Sequence, residues 1–207
     1  MKDLFKGCLT IPNLLTAMRI VIVPIFAVLF LKGEIGWAVF TLVLSGLSDF
    51  FDGKIARRFN QVSALGKILD PVADKLTQIT IAILLLITFR GAQDKTLKAF
   101  SWVFLFFIAK EAIMVIGGAV MLAMNIRPGA AEIYGKVATF AFYTVMILIV
   151  AFGPEIGVFR AAFTLPPVVM MILVVISAIL TLVAFLSYMP ETKRQFKEHF
   201  DAKKAVK

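Results

Sequence analysis

Charged residues are few in this 207-residue chain. Asp, Glu, Lys and Arg make up 17% of it, where a soluble domain carries about 25%. Cysteine is almost missing: Cys8 stands alone, so there is no internal disulfide framework, and a thiol without a partner motif packs rather than reacts. The single histidine, His199, sits in a charged C-terminal stretch with no ligand partner nearby, which removes histidine-based metal centres. Acidic residues are outnumbered 13 to 22, for a net charge of +9. In a soluble protein that excess raises nucleic acid as a partner. Here the basic residues are not interleaved with aromatics and no nucleic-acid motif occurs, so nucleic acid is excluded. The cations are read instead as loops facing anionic lipid.

Apolar residues are abundant: they make up 60% of the chain, with a mean hydropathy of +0.93. That is more apolar surface than one small core can bury, so lipid is the expected solvent. Six runs reach or approach the roughly 20 residues that a spanning helix needs: 14–31, 35–55, 72–89, 97–124, 133–152 and 165–188. They are too long for barrel strands and do not alternate, so helices are predicted. The expected fold is an all-α integral membrane domain of six transmembrane helices, residues 1–207 forming one unit. Residues 1–12, with Lys2, Asp3 and Lys6 among apolar neighbours, read as an interfacial amphipathic segment rather than a cleaved leader. Residues 190–207 read as a basic cytosolic tail. Gly117-Gly118 suggests close helix packing.

An even number of spans puts both termini on one side. That side collects Lys2, Lys6, Lys54, Arg57, Arg58, Lys67, Arg127, Lys136 and the tail cations, fourteen in all. The other side has five: Lys32, Arg90, Lys95, Lys98 and Arg160. The positive-inside rule then predicts a multi-pass cell-membrane protein with both termini in the cytosol.

The scarce acids are not scattered. Asp49 and Asp52 are three apart at the end of the second run, and Asp70 and Asp74 are four apart at the start of the third. On helices each pair shares a face. The short link between the runs predicts antiparallel neighbours, with all four carboxylates converging near the cytosolic surface. Four carboxylates at close range cannot all ionise unaided, and the edge of a bilayer makes this worse. Two hard cations resolve the conflict, and oxygen-only ligands suit Mg²⁺ or Mn²⁺. Such a pair clamps a phosphoryl group undergoing substitution. Gly53 and Gly66 allow close approach of a diphosphate, and Arg57 offers a fixed fork for its oxygens. The bland alternative, solvated interfacial acids neutralised by nearby Lys and Arg, does not account for this spacing.

The pattern Asp49-x2-Asp52-Gly53-x2-Ala56-Arg57-x8-Gly66-x3-Asp70-x3-Asp74 resembles the full signature of the CDP-alcohol phosphotransferase family. The six-helix plan fits the same family, so the resemblance covers nearly the whole chain. It implies that Asp49, Asp52 and Asp70 bind metal, and that Asp74 is the general base and also touches the second metal. It also implies that Asp49, Asp52, Gly53, Ala56, Arg57 and Gly66 line the CDP pocket.

Within the family, the opening Ile11-Pro12-Asn13-Leu14-Leu15-Thr16-Ala17-Met18-Arg19 and the stretch Gly66-Lys67-x2-Asp70-Pro71-x-Ala73-Asp74-Lys75 are similar to the phosphatidylglycerophosphate synthase branch. That branch joins CDP-diacylglycerol to glycerol 3-phosphate, giving phosphatidylglycerophosphate and CMP. Asn13, Thr16 and Arg19 are then expected to help hold the nucleotide, capping of the first helix being the other reading of Asn13 and Thr16. Lys110, Lys136 and Arg127 are expected to hold the acceptor phosphate, with charge balance by Glu111 the alternative for Lys110.

Lys110 stands where the synthases usually show Arg, and Gly135-Lys136-Val137-Ala138-Thr139 matches only the start of their Gly-Lys-x-Lys-Thr stretch, losing the second cation. Cardiolipin synthases of the CDP-alcohol type share the opening and core, and would use phosphatidylglycerol; serine and inositol-phosphate transferases are further alternatives. The family is commonly homodimeric. A cation transporter with an aspartate-lined path is the reading from a different class. It would spread its acids over several helices at mid-membrane rather than at two adjacent helix ends.

Overall fold

A computed structural model describes residues 10–59, 66–124 and 133–205, with the side chains of 50, 52–54, 56–57, 67–68, 122–123, 199–200 and 202–205 outside the description. Seven helices follow in order: α1 (Ile11–Leu31), α2 (Ile35–Arg58), α3 (Gly66–Gly91), α4 (Lys95–Phe100), α5 (Trp102–Ala123), α6 (Ile133–Phe152) and α7 (Pro167–Ala205). The described residues contain no strand. Five stretches are long and apolar enough to cross a membrane: α1, Leu69–Gly91, Lys95–Met121, α6 and Pro167–Glu198. Ile35–Asp49 of α2 forms a shorter apolar stretch. The protein is an all-helical, multi-pass membrane protein, as its composition requires.

Local chemistry sets the helix ends. Thr10 caps α1, accepting from the Asn13 N–H at 3.4 Å, and Pro12 sits in the first turn, where no intrahelical N–H is needed. Residues 11 and 12, expected in an interfacial segment, therefore open α1; residues 1–9 lie outside the described residues. α1 closes on Gly33, whose φ is +80°. The Glu34 N–H reaches back to Leu29 O at 2.9 Å and the Gly33 N–H to Phe30 O at 3.1 Å, a Schellman closure that needs the left-handed residue glycine supplies.

The fourth predicted span divides at Ser101, whose hydroxyl donates to Lys98 O at 2.7 Å. Asp94 caps the short piece before it, accepting from the Thr96 N–H at 2.6 Å and the Leu97 N–H at 3.2 Å. The tail is not a separate segment, because α7 runs unbroken from Pro167 through Pro190 to Ala205.

Burial is inverted relative to a water-soluble protein. Along α1 the outward stripe is Leu14, Met18, Val21, Ile25 and Val28, all exposed, while the buried stripe carries Asn13, Thr16 and Arg19. Apolar residues face the lipid and polar ones face the protein. Away from the polar end the helices are joined by an aromatic and aliphatic core, including Phe26, Leu42, Leu85, Phe89, Phe107 and Phe142. The Phe107 and Phe142 ring centroids are 5.2 Å apart.

Two packing expectations are corrected. A Cβ added at Gly117 or Gly118 would meet open space, so those glycines are not a close contact within the chain. Among the described residues, α2 and α3 make their extensive contacts with α1 rather than with each other. α1 carries the polar stripe just described, and so it can reach both acid-bearing helices.

Candidate active site

Two side chains of α1's buried polar stripe meet acids on two different helices. The Arg19 side chain, 1% exposed, places Nη1 2.8 Å from Asp49 Oδ1 of α2. One turn earlier, Thr16 is fully buried, with its hydroxyl in hydrogen-bond contact with the Asp70 carboxylate of α3 and 3.1 Å from Pro12 O. Thr16 is thus not a cap; Thr10 performs that role. Asn13, also buried, lies one turn before Thr16 on the same stripe.

Asp74 lies one turn beyond Asp70. Gln78 Nε2, one turn further on, donates to both of its oxygens at 3.0 Å. The Tyr143 hydroxyl donates from α6 at 3.3 Å. Asp49 is within electrostatic reach of both Asp70 and Asp74. Three of the four predicted acids therefore belong to one charged neighbourhood.

Next to Asp74 the charge sign alternates. Lys75 Nζ is 3.8 Å from Asp74 and 2.8 Å from Glu111 Oε2 of α5. Lys110 pairs with the other oxygen of Glu111. All three of these side chains are largely withdrawn from solvent, Glu111 the most at 3%. Lys136, by contrast, is exposed near the start of α6, beside Gly135, which abuts Tyr188 of α7. Gly66 is buried at the start of α3. The side chains of Asp52, Ala56 and Arg57, together with Gly53 beside them and all of Arg127, lie outside the described residues.

The sequence reasoning missed Gln78, Tyr143 and the double pairing of Glu111. Gln78 had a signal, being four residues after Asp74 on an apolar helix. Glu111 had one as an acid inside a span. Tyr143, 69 residues from its partner, had none. A cavity lined by Gly33, Glu34, Thr88, Glu155 and Arg160 opens at the opposite end of the bundle, away from all of these acids.

The donor set at the acid cluster is oxygen only, which fits a hard divalent cation. Among the described residues no three acids already close on one point, and Asp52 stands outside that description.

A family model for CDP-alcohol phosphatidyltransferases matches residues 9–184, and the chain belongs to that family. It is accordingly a membrane transferase of phospholipid synthesis, in a family that uses CDP-diacylglycerol and an alcohol acceptor and generally depends on divalent metal. The chain is similar to a CMP-forming cardiolipin synthase of Streptomyces coelicolor, 37% identical over 70% of this chain and 67% of that protein. It is also similar to a CDP-diacylglycerol–glycerol-3-phosphate 3-phosphatidyltransferase of Aquifex aeolicus, 29% identical over 87% of this chain and 94% of that one. A protein of the same name from Rickettsia typhi is 43% identical over 37% of this chain and 44% of its own length. No solved structure matches.

Proposed function

We propose that this chain transfers the phosphatidyl group of CDP-diacylglycerol to glycerol 3-phosphate, releasing CMP and forming phosphatidylglycerophosphate. The observation that carries the reading is the joining of Asp49 and Asp70 by α1, with Asp74 in the same charged neighbourhood and held from α3 and α6 at once. The near full-length likeness to the Aquifex protein supports the acceptor.

In this reading Asp49, Asp52, Asp70 and Asp74 hold two Mg²⁺ or Mn²⁺ ions. When bound, these neutralise the diphosphate and the departing CMP. Gly53, Ala56, Arg57, Gly66, Asn13 and Thr16 form the CDP side. Asp74 takes the proton of the acceptor hydroxyl. The freed oxygen bonds to the phosphorus that carries diacylglycerol, the bond from that phosphorus to the bridging anhydride oxygen breaks, and CMP leaves with the electron pair. Gln78 and Tyr143 fix the rotamer of Asp74 for that transfer. Lys110, Lys136 and Arg127 form the acceptor-phosphate side. The excess of cations in the loops on the site's side supports an active site and both termini in the cytosol. The active form is a homodimer.

A second reading, CMP-forming cardiolipin synthesis from phosphatidylglycerol, is favoured by two observations. One is the Streptomyces relative. The other is Glu111, which pairs with both Lys75 and Lys110 and so leaves less positive charge for a phosphate dianion. Purified protein with Mn²⁺ and CDP-diacylglycerol, given glycerol 3-phosphate, phosphatidylglycerol, serine or inositol 1-phosphate in turn, separates the two. CMP release that depends on glycerol 3-phosphate is expected. Dependence on phosphatidylglycerol selects the second reading, and the absence of acceptor-dependent CMP defeats both.

A further inference from the structure

Gly135 is the third residue of α6, and its backbone does not call for glycine: among the described residues only Gly33 has a positive φ. Space calls for it instead. A Cβ at Gly135 would collide with the hydroxyl of Tyr188 and lie 3.3 Å from its Cζ. α7 therefore packs its tyrosine tip directly over the first turn of α6, in room that any other residue would fill.

The surroundings of that tip give it a task. Tyr188 is within electrostatic reach of Lys75, whose ammonium lies 2.8 Å from Glu111 and 3.8 Å from Asp74. Lys136, exposed, follows Gly135 in the same turn of α6. The phenol thus stands over the turn of α6 that carries the exposed Lys136 and within reach of Lys75, the partner of Asp74 and Glu111. It is half-buried, so a small polar molecule can reach it. A phenol both donates and accepts, which suits the hydroxyl and phosphate oxygens of a polyol phosphate.

We infer that Tyr188 is an acceptor-positioning residue and that Gly135 is glycine in order to seat it. The inference rests on the phosphatidyltransferase reading and deepens it, by placing acceptor recognition on α7 as well as on the lysines.

The test is steady-state CMP release by Gly135→Ala, Tyr188→Phe and the double variant, with each substrate varied in turn. One hydrogen bond to the acceptor predicts a rise of about three- to tenfold in acceptor KM for Tyr188→Phe. Gly135→Ala should give a comparable or larger rise, because its methyl displaces the whole ring, and the KM for CDP-diacylglycerol should stay within about twofold in both. The two substitutions share one contact, so they should not add. In the Tyr188→Phe background the added methyl meets no hydroxyl and only the 3.3 Å contact with Cζ remains, so Gly135→Ala should cost less there than in the native background.

Equal costs of Gly135→Ala in both backgrounds overturn the inference. So does an acceptor KM unchanged by Tyr188→Phe, or a matching rise for both substrates. Should Gly135→Ala fail to fold, Tyr188→Phe, which removes a single oxygen, decides alone. A wild-type protein that releases no CMP with any acceptor defeats the enzymatic reading, whereas an active wild type with unaltered variants defeats only this one.

Discussion

Glu111→Gln removes the one anion that two lysines share. In the native protein Lys75 lies 2.8 Å from one Glu111 oxygen and Lys110 pairs with the other, with side-chain exposures of 18% and 10%. Together with Asp74 the group holds two positive and two negative charges, which is neutral, as a site within a membrane favours. After the substitution Lys75 keeps Asp74 at 3.8 Å, while Lys110 loses its ion-pair partner and faces Lys75 across an amide. Breaking a buried pair from one side costs about 3–5 kcal/mol. For a chain of this size that is a fall in melting temperature of roughly 10 °C. Lys110→Met makes the opposite change: it removes a cation, leaves Glu111 bonded to Lys75, and fills the space with a flexible apolar chain. It leaves the group with one net negative charge, but no member loses its last partner, so the expected cost is smaller than that of Glu111→Gln. The assay is the fraction of detergent-solubilised protein that stays monodisperse after heating through a temperature series. A Lys110→Met variant as unstable as Glu111→Gln, or a Glu111→Gln variant as stable as wild type, refutes the charge accounting. The same two proteins test the acceptor role, since a Lys110→Met variant of native stability with a raised acceptor KM places Lys110 on the substrate.

Gln78→Leu removes two contacts to Asp74 and is expected to lower kcat by more than about tenfold, while Tyr143→Phe removes one longer contact and lowers it about three- to tenfold; unchanged kcat in both, measured by CMP release, dismisses the clamp. Chelation by EDTA is expected to abolish turnover and added Mg²⁺ or Mn²⁺ to restore it, and turnover that persists in excess chelator contradicts the oxygen-ligand reading of the aspartates. Asp94 lies outside the spans, and the Leu97 and Thr96 backbone N–H groups hold its carboxyl below the usual carboxylate range. Its folded pKa is depressed, so its stabilising effect is complete above the unfolded value, about 3.9, and is lost as pH falls through the folded value. Asp94→Ala should therefore lower the melting temperature at pH 7, with the gap to wild type closing below about pH 4.

The spans were legible because lipid imposes a length on apolar runs, and five of the six appear as helices long and apolar enough to cross. Their ends were less legible, for physical reasons. The third apolar run was expected from residue 72, yet α3 starts at Gly66, because a proline in the second turn removes only one intrahelical bond. The break at Ser101 follows a self-bonded hydroxyl rather than a glycine or proline. The continuation of α7 past Tyr188 is, apart from Pro190, composed of residues a helix tolerates, so falling hydropathy looked like the end of an element. At the site, the pairs Asp49/Asp52 and Asp70/Asp74 were visible through helical spacing. The joining of their helices by α1 was not, since Arg19 and Asp49 lie 30 residues apart and nothing local announces their contact. Thr16 shows the same limit: its position left capping open beside a nucleotide role, while its hydroxyl reaches an acid 54 residues away.

The paired charges also set an order of assembly as the chain is made. Arg19 leaves the ribosome well before Asp49, so the ion pair between them closes only once the second helix has been made and the two stand as a hairpin. Lys75 waits longer, because Glu111 belongs to α5. More than half of the protein must therefore be made before the contact between Lys75 and Glu111 can close.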